Sequence, residues 1–473
     1  MCRGIPCHFS FRKGDGMISR ILTALKNKKR RSVSVSRIIA LVFAGLILLG
    51  TALLNLPAAS RSGRPAGLMV SLFTAASATC VTGLTLADTW TRWSFFGQFV
   101  ILGMIEIGGL GFMSVASLVY LLLRKKISLQ HQLLMAEAIG ADSLSDIWLL
   151  QKKLLLRAFL LEAAGALILT LRFSAEYPFE KSLWLGTFHA VSAFCNAGFD
   201  ILGFRSPGSS LLTYQTDPVI CMTLSVLIIL GGLGFLVWDE VLRVRNPGRW
   251  SVYTRLVLIT TASLLLGGML LFCLLEWRNP LTLGPLSVPR KLLAAFFQSV
   301  TLRTAGFAAL DQGSLTQAGK GVSIFLMLIG GSSGSTAGGL KTVTFVVLFI
   351  FLWTRMRGRY TVSVFHRTIS NDLVLNAIMI FIMMVTLSFA GAVLICASSP
   401  VTFDVALYET VSAIGTVGLT AGATPRLRLP AQLMIILFMY FGRVGVLTIS
   451  FGFLKNKPAG QKYKYADTEL LIG

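Results

Sequence analysis

Four short stretches are built for one chemistry, the coordination of a bare cation by backbone oxygen. They are Thr79, Cys80, Val81, Thr82 and Gly83; Phe194, Cys195, Asn196, Ala197 and Gly198; Leu302, Arg303, Thr304, Ala305 and Gly306; and Ile414, Gly415, Thr416, Val417 and Gly418. Each ends in a glycine followed by a large apolar residue, Leu84, Phe199, Phe307 or Leu419. The four glycines recur at intervals of 108 to 115 residues, the mark of an internal repeat. Four such strands around one axis can ring a path with carbonyl oxygens that replace an ion's hydration shell. Other chemistries find less support. No acid, base and nucleophile cluster as an enzyme requires. The seven cysteines include no C-x-x-C pair, and His131, His189 and His366 lack metal-ligand spacing.

The flanking sequence indicates what must hold the strands. Each strand follows a short segment that starts near an aromatic, Phe73, Phe188, Phe297 or Tyr408, and long apolar runs lie on either side. Spans are expected at 38–56 and 94–123, 150–171 and 220–237, 257–275 with a broken partner, and 373–396 and 433–454. About 20 apolar residues cross ~30 Å of hydrocarbon. Segments 66–78, 183–194, 291–302 and 403–414 are too short to cross and are expected to be re-entrant. Non-helical backbone at membrane depth is tolerated only where it is buried or lines a water-filled path, so four such segments ask for a pore. The expected fold class is an all-α membrane protein. It has four M1–P-loop–M2 repeats, eight transmembrane helices and four re-entrant pore helices, around a central ion pore. The repeats occupy 36–126, 127–246, 247–358 and 359–455, between a basic tail at 1–35 and a tail at 456–473. Met17 is an alternative start, and 18–25 could form a short amphipathic helix. No secretory signal is seen.

Bulk composition agrees. Hydrophobic residues make up 54% and charged residues 13%, against roughly 25% charged in soluble domains, and the mean hydropathy is +0.74. The net charge of +23 is not a nucleic-acid footprint: 27 of the 43 Lys and Arg fall in five tracts, at 1–37, 124–153, 243–255, 355–367 and 455–464. These tracts lie between the repeats and at the ends, all on one side, which is the positive-inside pattern. The expected environment is a lipid membrane, with no nucleic-acid partner.

The second span of the third repeat is interrupted. Apolar residues at 322–329 give way to Gly330, Gly331, Ser332, Ser333, Gly334, Ser335, Thr336, Ala337, Gly338 and Gly339, and Lys341 precedes a second apolar run at 343–353. Each half is about 15 Å of helix, half a bilayer. A phosphate-binding loop would need lysine directly after its last glycine, and Leu340 intervenes. An extramembrane linker fails on length, since neither half would then span. A flexible intramembrane loop at 330–342, beneath the strands, reads as a gate.

The four motifs, the eight-span layout and the run GGSSGSTAGGLKT resemble the Trk/Ktr/HKT superfamily of potassium uptake proteins over nearly the whole chain, from about 36 to 454. Within it the chain is most similar to the KtrB-type membrane subunits of bacterial Ktr systems, since residues 1–35 hold no extra helix pair. The resemblance implies potassium as substrate, with the selectivity-filter glycines at Gly83, Gly198, Gly306 and Gly418. Sodium-preferring plant members often carry serine at the first, so Gly83 favours potassium. It also implies a homodimer, a separately encoded cytosolic RCK-type regulatory ring, KtrA-like, that binds nucleotide, and a multi-pass protein of the bacterial cell (inner) membrane with both termini cytoplasmic. No cofactor is expected on this chain; a gated channel and sodium-dependent uptake stand as alternatives.

Several side chains carry separate expectations. Arg443, mid-span in the last helix, either faces the pore below the filter, where the family has an arginine, or pairs with Glu106. Lys341 either adds to that barrier or snorkels to the interface. Asp88, Asp200 and Asp311 each follow a strand and could concentrate cations at an extracellular mouth, or simply cap loops. Arg303 is expected to point behind the filter and to pair with Glu409 or Asp311. The runs Gly108–Gly111 and Gly231–Gly234 are expected to serve close helix packing.

Overall fold

The computed structural model describes residues 35–111 and 147–445. Residues 1–34, 112–146 and 446–473, which include the amphipathic segment 18–25, His131, most of the tract at 124–153, the end of the fourth repeat and the tail at 456–473, lie outside the described residues. The described chain is almost entirely helical. The first group is α1 Val35–Leu54, α2 Leu68–Thr79 and α3 Phe95–Gly109; the second is α4 Ile147–Phe173, α5 Phe179–Phe194, α6 Pro218–Leu233 and α7 Phe235–Arg243. The third is α8 Val252–Glu276, α9 Val288–Thr301, α10 Gln317–Leu328 and α11 Thr342–Met356; the fourth is α12 Asn371–Ser398, α13 Phe403–Ile414 and α14 Leu429–Val444. A two-residue hairpin, β1 Ser363–Val364 against β2 Arg367–Thr368, precedes α12.

Helix starts follow local capping chemistry. Ser94, Asp217, Ser251 and Thr316 each accept a backbone N–H from the first turn of the helix that follows, and Pro218 adds a preset φ at the start of α6. The short helices α2, α5, α9 and α13 occupy the positions expected of half-helices. Their aromatics Phe73, Phe188, Phe297 and Tyr408 are all completely buried, which fixes each short helix by its middle. The outer faces are apolar: Leu41, Leu48, Leu167, Leu266, Leu274 and Phe389 are all exposed. Such a surface is covered only by lipid or by another protein. By length and composition α1, α4, α8 and α12 can each cross a membrane, and α6 with α7 would form a fifth, bent by 95°.

The expectation of continuous second helices is corrected. The segment at 220–237 is not one span: it breaks at Gly234, whose φ is +92°. The segments at 94–123 and 433–454 leave helix at Gly109 and Val444, just before Gly111 and Gly445, with φ of +81° and +91°, and their parts at 112–123 and 446–454 lie outside the described residues. A left-handed residue ends a helix, and glycine takes that conformation without penalty. Interruption is therefore not confined to the third group. There the break runs from Ile329 to Lys341, longer than the one at Gly234.

Candidate functional site: converging glycine strands beneath a shared mouth

The C-terminal ends of α2, α5, α9 and α13 run directly into the four glycine strands. In every strand the residue two before the glycine is left-handed and is not glycine: Val81 at +56°, Asn196 at +58°, Thr304 at +66° and Thr416 at +52°. Three of these are β-branched, for which this region is strained by about 1–3 kcal/mol. The final glycines also have positive φ, between +68° and +94°. Such strain persists only where the surroundings over-determine it, and hydroxyls behind the strands do so. Ser77 and Ser412 accept from the N–H of Gly83 and Gly418 at 3.0 and 3.1 Å, while Ser192 and Thr301 donate to the carbonyls of Phe199 and Phe307, each at 2.7 Å.

The strands close on one another in cyclic order. A Cβ added to Gly83 would stand 2.5 Å from the Ala197 carbonyl oxygen; one on Gly198 would stand 2.7 Å from that of Ala305; one on Gly306, 2.5 Å from that of Val417; and one on Gly418 would overlap the Thr82 carbonyl oxygen. Each glycine thus abuts the carbonyl just before the next strand's glycine, and the fourth returns to the first. Asn196 and Thr304 also meet across neighbouring strands, side chain to side chain, at 3.3 Å.

The interrupted segment packs beneath this ring. Ile329 and Leu340 pair as a bridge, the Gly330 N–H donates to the Leu340 carbonyl at 2.8 Å, and the Thr342 N–H donates to that of Gly331 at 3.0 Å, so the loop's two ends are held together. Its middle is pinned to other groups. Ser332 and Thr336 donate their N–H to the Gly232 and Gly231 carbonyls, the Thr336 hydroxyl donates to the Phe194 carbonyl at 3.0 Å, and Tyr253 donates to Ser333. A Cβ on Gly338 would overlap the Thr416 hydroxyl. Glycine is needed there because the loop passes directly against the fourth strand.

The charged residues find partners that residue type does not reveal. Arg443 donates to the carbonyls of Thr336, Gly108 and Gly109, tying the loop to α3; among the described residues it makes no ion pair with Glu106. Lys341 Nζ donates to the Ala337 carbonyl at 2.8 Å, within the loop. The expected pairing of Arg303 with Glu409 or Asp311 is overturned. Arg303 is buried and donates to the Gly330 carbonyl at 3.2 Å and the Thr342 hydroxyl at 3.1 Å, clamping the loop's base from the third strand. Glu409 instead accepts from the Thr420 and Thr424 hydroxyls and the Ala421 and Ala423 amides, holding the chain just beyond the fourth strand.

Above the glycines lies a cavity of about 430 Å³ that Gly83, Gly198, Gly306 and Gly418 share with Asp88, Asp200 and Asp311. Asp88 and Asp311, while lining this cavity, also cap short helical turns, through Thr91 and Gly313. Burial, with the charge of Asp88 adding to it, pushes the Asp200 carboxyl up to about 6.

The family model described as TrkH, cation transport protein, matches residues 38–465. The chain belongs to the TrkH family. It is 40% identical to the potassium/sodium uptake protein NtpJ of Enterococcus hirae, over 96% of this chain and all of that protein. It is 38% identical to the Ktr system potassium uptake protein B of Bacillus subtilis, over 92% of this chain and 96% of that protein. The crystal structure of the potassium transporter TrkH from Vibrio parahaemolyticus superposes with a TM-score of 0.69 at 18% identity, covering 91% of this chain and 86% of that one, which establishes the shared fold. The protein is thus a multi-pass membrane member of a cation-transport family.

A second glycine pattern recurs in three of the four groups of this TrkH-family chain. Gly108, Gly231 and Gly442 each stand where a Cβ would overlap the last carbonyl of a short helix, those of Thr79, Phe194 and Ile414. This bears out close packing, and the left-handed glycine follows three residues later each time. Arg443 occupies the position held by Gly109 and Gly232 in the other copies. An arginine substituted for a repeated glycine was the available signal.

Proposed function

We propose that the chain takes up potassium across the cell membrane, through a selectivity filter made by the four glycine strands and gated by the loop at 330–342. The observation that carries this reading is the cyclic approach of each glycine to the carbonyl before the next. A closed ring of carbonyls can replace a water shell. The half-helices enter by their C-terminal, negative ends, which favours a cation. The repeats are four M1–P-loop–M2 units, with both termini and the basic tracts cytoplasmic. The relatives named as proteins of Ktr systems support a multi-subunit assembly, and the reading takes this chain as a homodimer acting with a cytosolic nucleotide-binding subunit. The potassium/sodium uptake relative supports an influence of sodium. The test is rescue of a potassium-uptake-deficient strain at low external potassium, with and without sodium and a regulatory subunit. Growth only in the presence of this chain is expected; no rescue under any combination would reject potassium uptake.

Two further outcomes follow from the geometry. Removing the guanidinium with Arg443→Ala frees Thr336 from α3 and takes a positive charge from the path, where a low dielectric would strengthen its barrier. Flux is expected to rise several-fold, or its regulation to weaken, in well-inserted protein; unchanged flux would make Arg443 structural. At the mouth, the carboxyl of Asp200 is anionic above its pKa of about 6 and neutral below it. Acidifying the outside from about pH 7.5 to about pH 5 therefore removes negative charge and should raise the half-saturating potassium concentration. Asp200→Asn should show that weaker apparent affinity already at neutral pH and a flatter pH profile.

A further inference from the structure

Away from the loop, one group of side chains has the composition and spacing of a metal centre. Glu106 of α3, Glu162 of α4 and Cys195 at the end of α5 each offer a ligand atom, and the three atoms lie within 4.8 Å of one another. Cys195 Sγ is 3.5 Å from Glu106 Oε2 and 3.9 Å from Glu162 Oε1. A thiol has a single hydrogen and cannot donate to both carboxylates at once. With the shorter contact made to Glu106, Glu162, only 5% exposed, is left with the Glu106 carboxyl itself as its hydrogen-bond partner, which requires a proton between the two. The second oxygen of Glu106 is buried with no partner. Neither glutamate takes part in an ion pair among the described residues. Two desolvated carboxyls side by side hold together either by a shared proton or by a cation that displaces it. Gly109 opens the slot, since a Cβ there would stand 2.6 Å from Cys195 Sγ.

The separations suit a particular ion class. In a tetrahedral site with Zn–S of ~2.3 Å and Zn–O of ~2.0 Å, sulfur and oxygen stand roughly 3.5 Å apart. Hard cations such as Mg²⁺ and Ca²⁺ prefer all-oxygen shells, whereas a thiolate selects softer metals. We propose that Glu106, Glu162 and Cys195 form a site for a thiophilic divalent cation of the Zn²⁺ and Cd²⁺ class, with one coordination position left open. Occupancy would tether α3 and α4 to the start of the second strand, next to left-handed Asn196, and so restrain that strand from behind. Only this last consequence rests on the proposed uptake function.

The experiment is a Cd²⁺ titration of the purified full-length protein, reading the ultraviolet thiolate-to-metal charge-transfer band, with Zn²⁺ as competitor. The band is expected in the wild type and abolished in Cys195→Ser. The near-isosteric Glu106→Gln and Glu162→Gln are expected to weaken binding by roughly tenfold or more, since even groups behind metal ligands contribute that much. Absence of the band in the wild type, a band that persists in Cys195→Ser and so belongs to a thiol elsewhere, or wild-type affinity in both glutamine variants overturns the site. Because binding is read without transport, the result stands apart from any failure of uptake.

Discussion

Deleting residues 331–338 is expected to raise potassium flux by more than about tenfold and to make it indifferent to a regulatory subunit, while leaving potassium preferred over sodium. The deletion is feasible because Ile329 and Leu340 already pair, so the cut ends lie side by side. It removes the bonds that seat the loop on Gly231, Gly232, Phe194 and Arg443, and it removes the contact with Thr416. Losing only 1.4 kcal/mol of preference for the seated arrangement already changes its population ratio tenfold. The backbone bonds at the loop's base run straight into α11, which ends in the basic tract at Arg355, so a force from a docked subunit has a continuous route. Potassium and sodium fluxes in vesicles, with and without the subunit and its nucleotide, give the answer. Wild-type leak and intact regulation in a folded deletion variant would place the gate elsewhere and reduce the loop to a hinge.

The second large effect is on selectivity. Gly83→Ser places a side chain at φ +92° with its Cβ 2.5 Å from the Ala197 carbonyl oxygen. A non-glycine residue there is strained by about 1–3 kcal/mol before the clash is counted. The clash falls on the neighbouring strand's carbonyl, one of the oxygens proposed to meet the ion. Displacing it should blunt the distinction between potassium and sodium by about tenfold or more, equivalent to roughly 1.4 kcal/mol. Reversal potentials under bi-ionic conditions, or competition of sodium with potassium uptake, measure this. A Gly83→Ser protein that keeps the wild-type preference would remove Gly83 from the filter.

What the sequence by itself determined is whatever is written along the chain at short range. The four glycine strands, the aromatic that anchors each short helix, the basic tracts and the interruption at 330–339 are local patterns. The physics behind them is local too, since glycine removes a steric barrier and apolar runs of set length match the bilayer. The tertiary structure alone decided who meets whom. The four glycines close in cyclic order only because four segments more than a hundred residues apart pack around one axis. Arg303 was expected to pair with an acid, and Arg443 to face the pore or pair with Glu106; both donate to backbone carbonyls. Every residue carries a carbonyl, so residue types cannot reveal such a partner; in a low dielectric, the oxygens left over where helices break serve a guanidinium well. The same breaks explain the second helices. Gly111, Gly234 and Gly445 sit in runs that look continuous by hydropathy, and only the packing against Thr79, Phe194 and Ile414 decides that the helix ends there. The cluster of Glu106, Glu162 and Cys195 is likewise invisible along the chain, because its members come from three helices that only the fold brings together.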